Sequence, residues 1–210
     1  MADPESTFLF DGPANAHITV ALAHGAGAGM DTPFMAAMAN GLGDAGFRVL
    51  RFEFPYMADA RAAGRRRPPN REPILRESWQ AVIARQEPDR LVVGGKSLGG
   101  RIASLVADEA GVLGLCCLGY PFHPPGRPEK PRTQHLETLR TPTLICQGTR
   151  DPFGTVDDVA DYRLSPSIEL HWLEDGDHSF APRRKSGRTT DQNWQDAVLA
   201  MVGFINRLDR

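Results

Sequence analysis

The feature that most constrains this fold is a series of short, almost uninterrupted apolar runs. His17-Ile18-Thr19-Val20-Ala21-Leu22-Ala23, Phe47–Phe54, Leu91-Val92-Val93-Gly94, Val112–Tyr120 and Thr143–Gly148 all have this character. A strand with one solvated face alternates polar and apolar residues, whereas these runs barely alternate, as expected of strands covered on both faces. Stretches of helical periodicity separate them. Phe34, Met38, Leu42 and Ala45 fall on one face and end at Gly46, and Leu75, Trp79, Val82 and Ile83 fall on another. After a polar tract, 182–193, Trp194, Ala197, Val198, Met201, Val202, Ile205 and Leu208 form the stripe of a final helix. Strand alternating with helix predicts a three-layer α/β/α sandwich around a mostly parallel sheet. With 210 residues, 41% hydrophobic, the chain reads as a single domain, 1–210.

Four departures from the pattern are expected. Phe8-Leu9-Phe10 before Asp11-Gly12-Pro13 reads as a short edge strand, and Ile168–Leu173 alternates, so one of its faces should be less buried. Residues 56–73, with Arg65-Arg66-Arg67-Pro68-Pro69, read as a long exposed connection whose arginines are solvated. Pro121–Pro131 leaves no room for an inserted lid before a helix starting near 134.

Composition removes several function classes. A formal net charge of −2 gives no push toward nucleic acid or anionic membrane, and no run of eighteen apolar residues could span a bilayer. Met1-Ala2-Asp3-Pro4-Glu5 lacks the basic start and apolar core of a signal peptide. Cys116, Cys117 and Cys146 are odd in number and lie inside apolar runs. They read as reduced core residues of a cytoplasmic protein, with no metal site and no cofactor implied. Nothing in the pattern fixes an oligomeric state.

The chemistry begins at Gly95-Lys96-Ser97-Leu98-Gly99-Gly100-Arg101, directly after one buried run and before Ile102, Leu105 and Val106 at helical spacing. A strand, a tight turn holding Gly-x-Ser-x-Gly and a departing helix form the context of a nucleophile elbow. A phosphate-binding loop would need glycine five residues before Gly95, where Arg90 stands. Since ligands of such sheets bind beyond the carboxyl ends of the strands, residues just after each run should meet at one edge. Those residues are His24-Gly25-Ala26-Gly27, Ser97, His123, Asp151 and His178.

A serine hydroxyl needs a base within hydrogen-bond reach, and the base needs an acid to orient it. The order Ser97, Asp151, His178 supplies all three. Asp175 and Asp177 are too near His178 in sequence and should shape its turn instead, while Asp157 and Asp158 suit a helix N-terminus. Leu98 N–H and Ala26 N–H, with Gly27 as the alternative to Ala26, are the expected oxyanion donors. Gly25, Gly27, Lys96 and His123 are the candidate substrate contacts. Lys96 and Arg101 flank the elbow, either to meet a carboxylate on the substrate or to pair with surface acids.

These residues resemble the α/β-hydrolase superfamily along essentially the whole chain. His24–Met30, Gly95–Arg101, Tyr120–Gly126 and Asp177-His178-Ser179-Phe180 resemble a small lid-less, dienelactone-hydrolase-like branch. That branch is related to the α/β-hydrolase-like subunit of the nuclear NSL acetyltransferase complex. The resemblance implies a hydrolase fold without a large cap, with Ser97 as nucleophile, Asp151 as acid and His178 as base. Dienelactone hydrolases proper carry cysteine where Ser97 stands. The expected activity is hydrolysis of a small or short-chain ester; the alternative is a non-catalytic interaction module that keeps the fold.

Overall fold

The computed structural model describes residues 8–209; the acidic stretch Met1–Glu5 lies outside them. Seven strands form one sheet: β1 (Phe8–Asp11), β2 (Thr19–Ala23), β3 (Arg48–Phe52), β4 (Leu91–Lys96), β5 (Gly114–Leu118), β6 (Thr143–Gly148) and β7 (Ile168–Leu173). Their order across the sheet is β1-β3-β2-β4-β5-β6-β7. Only β1 runs antiparallel, against β3; every other pairing is parallel.

The near-continuous apolar runs are explained by two separate cores, one on each face of the sheet. Val20, Leu22, Val92, Cys116, Leu118 and Cys146 point to the face covered by α1 (Pro33–Asp44) and α7 (Thr190–Leu208). Their sequence neighbours Ala21, Ala23, Val93, Leu115, Cys117 and Ile145 point to the opposite face. That face carries α3 (Glu72–Ile83), through Leu75, Trp79 and Val82, and α4 (Leu98–Ser104), through Ile102 and Ala103. Period-two geometry distributes each run between both layers, so no position can be polar cheaply. The alternating strand β7 is an edge. Its Glu169 and His171 reach Arg207 and Asp196 of α7, and its Leu173 is buried. Among the described residues no helix is long and apolar enough to cross a membrane.

The structure corrects four expectations about local structure. Residues 56–73 are not all loop, because α2 (Pro55–Ala63) occupies the first half. Proline at its first turn and Gly64 at φ 63° delimit that helix, yet Tyr56 is its one buried residue, so no apolar stripe announced it. The arginines at 65–67 are exposed, as expected. The helix after Ser97 stops at Ser104, where Leu105 and Val106 N–H turn to carbonyls three residues back. A separate α5 (Ala107–Ala110) follows it. The helix expected near 134 is a single 3-10 turn, Gln134–Glu137. Finally, α7 begins before its apolar stripe, at a capping box between Thr189 and Gln192. Asp158 has the helix-start role expected of it, closing a capping box with Thr155 on α6 (Val156–Ala160). Among the described residues, the segment between β5 and β6 carries the 3-10 turn Gln134–Glu137 and no α-helix.

Candidate active site

Ser97 sits at the carboxyl end of the central strand β4, at φ 50° and ψ −111°, a left-handed region costly for a residue with a Cβ. Its neighbours explain how the turn is tolerated. A Cβ on Gly95 would stand 2.1 Å from the Ala23 carbonyl oxygen, and one on Gly99 would stand 2.4 Å from the same atom. Glycine at both positions lets β4 and α4 pass close to β2, and the bend turns Ser97 outward.

His178 lies five residues beyond the end of β7. Its Nε2 is 2.9 Å from Ser97 Oγ and its Nδ1 is 2.7 Å from Asp151 Oδ2. A carboxylate can only accept, so Nδ1 carries the proton and Nε2 faces the serine with a lone pair. Asp151, three residues past the end of β6, is fully buried. Its carboxylate also accepts Gln147 Nε2 at 3.0 Å and the Phe153 N–H at 2.9 Å. A buried carboxylate needs such donors to satisfy its oxygens. Gln147 is itself wholly buried, with its amide also directed at the carbonyls of Tyr120 and Gly154.

The loop bearing His178 is held from several directions. Asp177 accepts the N–H groups of Ser179 and Ala181, and Asp175, at φ 52°, pairs with Arg150 and Arg183. Both aspartates therefore shape the turn, as expected from their proximity to His178. From α7, Asn193 donates to the carbonyls of Glu174 and Phe180, and Trp194 donates to Ser179.

On the other side lies the Gly25–Gly29 loop. His24 is buried, and burial lowers its pKa below the ordinary histidine value. It donates through Nδ1 to Gly25 O at 2.6 Å and accepts the Phe54 N–H on Nε2 at 3.1 Å. The Tyr56 hydroxyl donates to the carbonyls of Gly25 and Ala26, at 3.2 Å each. These bonds hold the loop by its carbonyls. Among the described residues neither the Ala26 nor the Leu98 N–H has an acceptor. Both belong to residues bordering Ser97, as an oxyanion site requires.

A cleft of about 350 Å³ opens over Ser97 and His178. Gly25, Ala26, Gly27 and Lys96 line it, together with Thr32, Phe34, Met35 and Phe153. The last four were not anticipated, because nothing in their local sequence distinguishes them from core or loop residues. Phe153 also packs on the His178 ring, with centroids 4.3 Å apart. His123 does not line the cleft. Its Nδ1 donates to Pro124 O at 2.8 Å, and its Nε2 lies 3.4 Å from Asp158 without hydrogen-bond geometry. Its own main-chain bond to Phe153 O turns the segment so that the imidazole faces inward, away from the substrate position expected for it. Arg101 likewise turns away, to Glu72 on α3 at 3.0 Å.

Residues 16–206 match the family model of the alpha/beta hydrolase domain. The chain belongs to the α/β-hydrolase family. Solved structures with the same fold include an alpha-beta serine hydrolase homologue from Coxiella burnetii, with TM-score 0.67 and 18% identity over 95% of this chain and 89% of that one. An α/β serine hydrolase without a lid from Xanthomonas campestris matches with TM-score 0.65 and 17% identity over 96% and 86% of the two chains. A dienelactone hydrolase from Anabaena variabilis matches with TM-score 0.65 and 22% identity over 93% and 87%. These likenesses support the α/β-hydrolase fold without a large cap.

Proposed function

We propose that the protein is a serine hydrolase of small or short-chain carboxylic esters. The observation that carries this reading is the continuous chain from Ser97 Oγ through His178 to Asp151, with spacings of 2.9 and 2.7 Å. It ends in a cleft lined by Ala26, whose N–H, like that of Leu98 next to Ser97, has no acceptor among the described residues. A non-catalytic module has no use for a buried carboxylate, an oriented imidazole and a strained serine in one line.

In the reaction, His178 Nε2 takes the proton of Ser97 as Oγ attacks the ester carbonyl. The developing oxyanion accepts the Leu98 and Ala26 N–H groups, while Asp151 stabilises the imidazolium through Nδ1. His178 then gives its proton to the leaving alcohol, releasing it and leaving the acyl group on Ser97. Water, deprotonated by the same nitrogen, cleaves the acyl-enzyme, returning the proton to Ser97 and releasing the acid. No cofactor takes part.

The size of the cleft and the apolar side chains of Phe34, Met35 and Phe153 favour short acyl groups. Three free, buried cysteines fit a cytoplasmic setting. A panel of p-nitrophenyl esters tests the reading: kcat/KM should be highest for acetate to butyrate and fall for octanoate and beyond. A clear preference for long acyl chains would refute the substrate class. Hydrolysis left intact in Ser97→Ala would refute the mechanism.

A further inference from the structure

We propose that Lys96 is a positioning residue that ties the base to the nucleophile, a role resting on the Ser97–His178–Asp151 reading. Lys96 is the last residue of β4 and immediately precedes Ser97. Its Nζ donates to the main-chain carbonyl of His178. One residue beside the nucleophile thus holds the backbone of the base, across 82 positions of sequence. The other groups that steady this loop belong to the loop itself (Asp177), to α7 (Asn193 and Trp194) or to the turn after β6 (Arg150). Lys96 alone among these holders sits on the strand that carries Ser97.

The charge has a cost that packing alone would not justify. The ammonium has a main-chain carbonyl for its hydrogen-bond partner and the Phe34 ring 5.5 Å away. Burial pulls its pKa down to about 8, opposed by the charges of Asp151 and Asp177. A methionine would fill the same space without desolvating a cation. A charged donor gives a stronger hydrogen bond to the carbonyl than a neutral amine does, so the tie weakens as Lys96 loses its proton. The charged and titratable groups facing it are Asp151, Asp177 and His178, and from α1 the uncharged ring of Phe34 faces it.

The test compares wild type, Lys96→Met and Lys96→Arg with p-nitrophenyl acetate from pH 6 to 10. It also follows the rate of serine phosphonate labelling and the melting temperature. Small displacements of a catalytic group are expensive, so Lys96→Met should lower kcat about 10–100-fold with KM nearly constant. Wild-type kcat should decline above about pH 8. Lys96→Arg should keep most of kcat and lose that decline, because guanidinium does not deprotonate there. Wild-type kcat in Lys96→Met, or an unchanged alkaline limb in Lys96→Arg, would overturn the proposal. The arginine variant alone decides the matter if the methionine variant does not fold. A loss confined to the KM of anionic hemisuccinate esters would also overturn it, making Lys96 a substrate contact. Failure of wild type to label Ser97 would instead strike the underlying mechanism, which separates the two.

Discussion

Replacing Asp151 with asparagine exchanges one carboxylate oxygen for NH₂ and should disable the site for a reason visible in its hydrogen bonds. Oδ2 accepts from His178 Nδ1 and Gln147 Nε2, and Oδ1 accepts from the Phe153 N–H. An amide has one oxygen for these three donors. If that oxygen keeps Phe153, the new NH₂ faces the Gln147 amide and the imidazole. His178 must then accept on Nδ1 and carry its proton on Nε2, where it can no longer take one from Ser97. If the amide flips, its NH₂ opposes the Phe153 N–H inside a fully buried site. A base in the wrong tautomer is expected to cost about 10⁴-fold in kcat, or about 5.5 kcal/mol of transition-state stabilisation. The opposed donors should also lower folding stability by about 1–3 kcal/mol. Steady-state hydrolysis of p-nitrophenyl acetate and urea unfolding measure the two effects, with KM nearly unchanged. A kcat within tenfold of wild type would show that Asp151 does not set the tautomer of His178.

Two other predictions concern the supports of the site. Tyr56→Phe removes the hydroxyl that holds the Gly25 and Ala26 carbonyls. It should lower kcat about 5–20-fold, less than outright loss of an oxyanion donor. An unchanged kcat would mean the loop keeps its place without Tyr56. His135 lies beside Arg101, and desolvation, assisted by that charge, depresses its pKa to about 4. Its unfolded form takes a proton near pH 6.5 that the fold refuses, so its contribution is complete above pH 6.5 and is lost as pH falls toward 4. Solvent screening at this partly exposed site reduces the loss to about 1–2 kcal/mol. Urea unfolding at pH 7 and pH 4 should show a smaller acid loss in His135→Gln than in wild type; equal losses would refute the assignment.

The fold was legible because both faces of the sheet are covered, which leaves the apolar runs almost no alternation to confuse them. The candidate triad was legible for a related reason. Parallel strands deliver their carboxyl ends to one edge, so residues after separate runs, Ser97, Asp151 and His178, meet without further information. The supports were not legible in the same way. Gln147 reads as an interior strand residue, and Asn193 as part of a polar tract. Tyr56 lies on a helix with no apolar stripe. Their partners are carbonyls and a carboxylate far away in sequence, which no local pattern encodes. His123 shows the converse error: it follows a strand as the others do, but its main-chain bond to Phe153 O turns its ring inward. Strand-end position selects candidates, and the direction of the side chain then decides among them.

The most direct test of the central claim is covalent labelling of the native protein with an active-site serine phosphonate, followed by peptide mass spectrometry. One adduct on Ser97 is expected, absent in Ser97→Ala and strongly slowed in His178→Ala. An absence of labelling in the wild-type protein, or an adduct on any serine other than Ser97, would contradict the account.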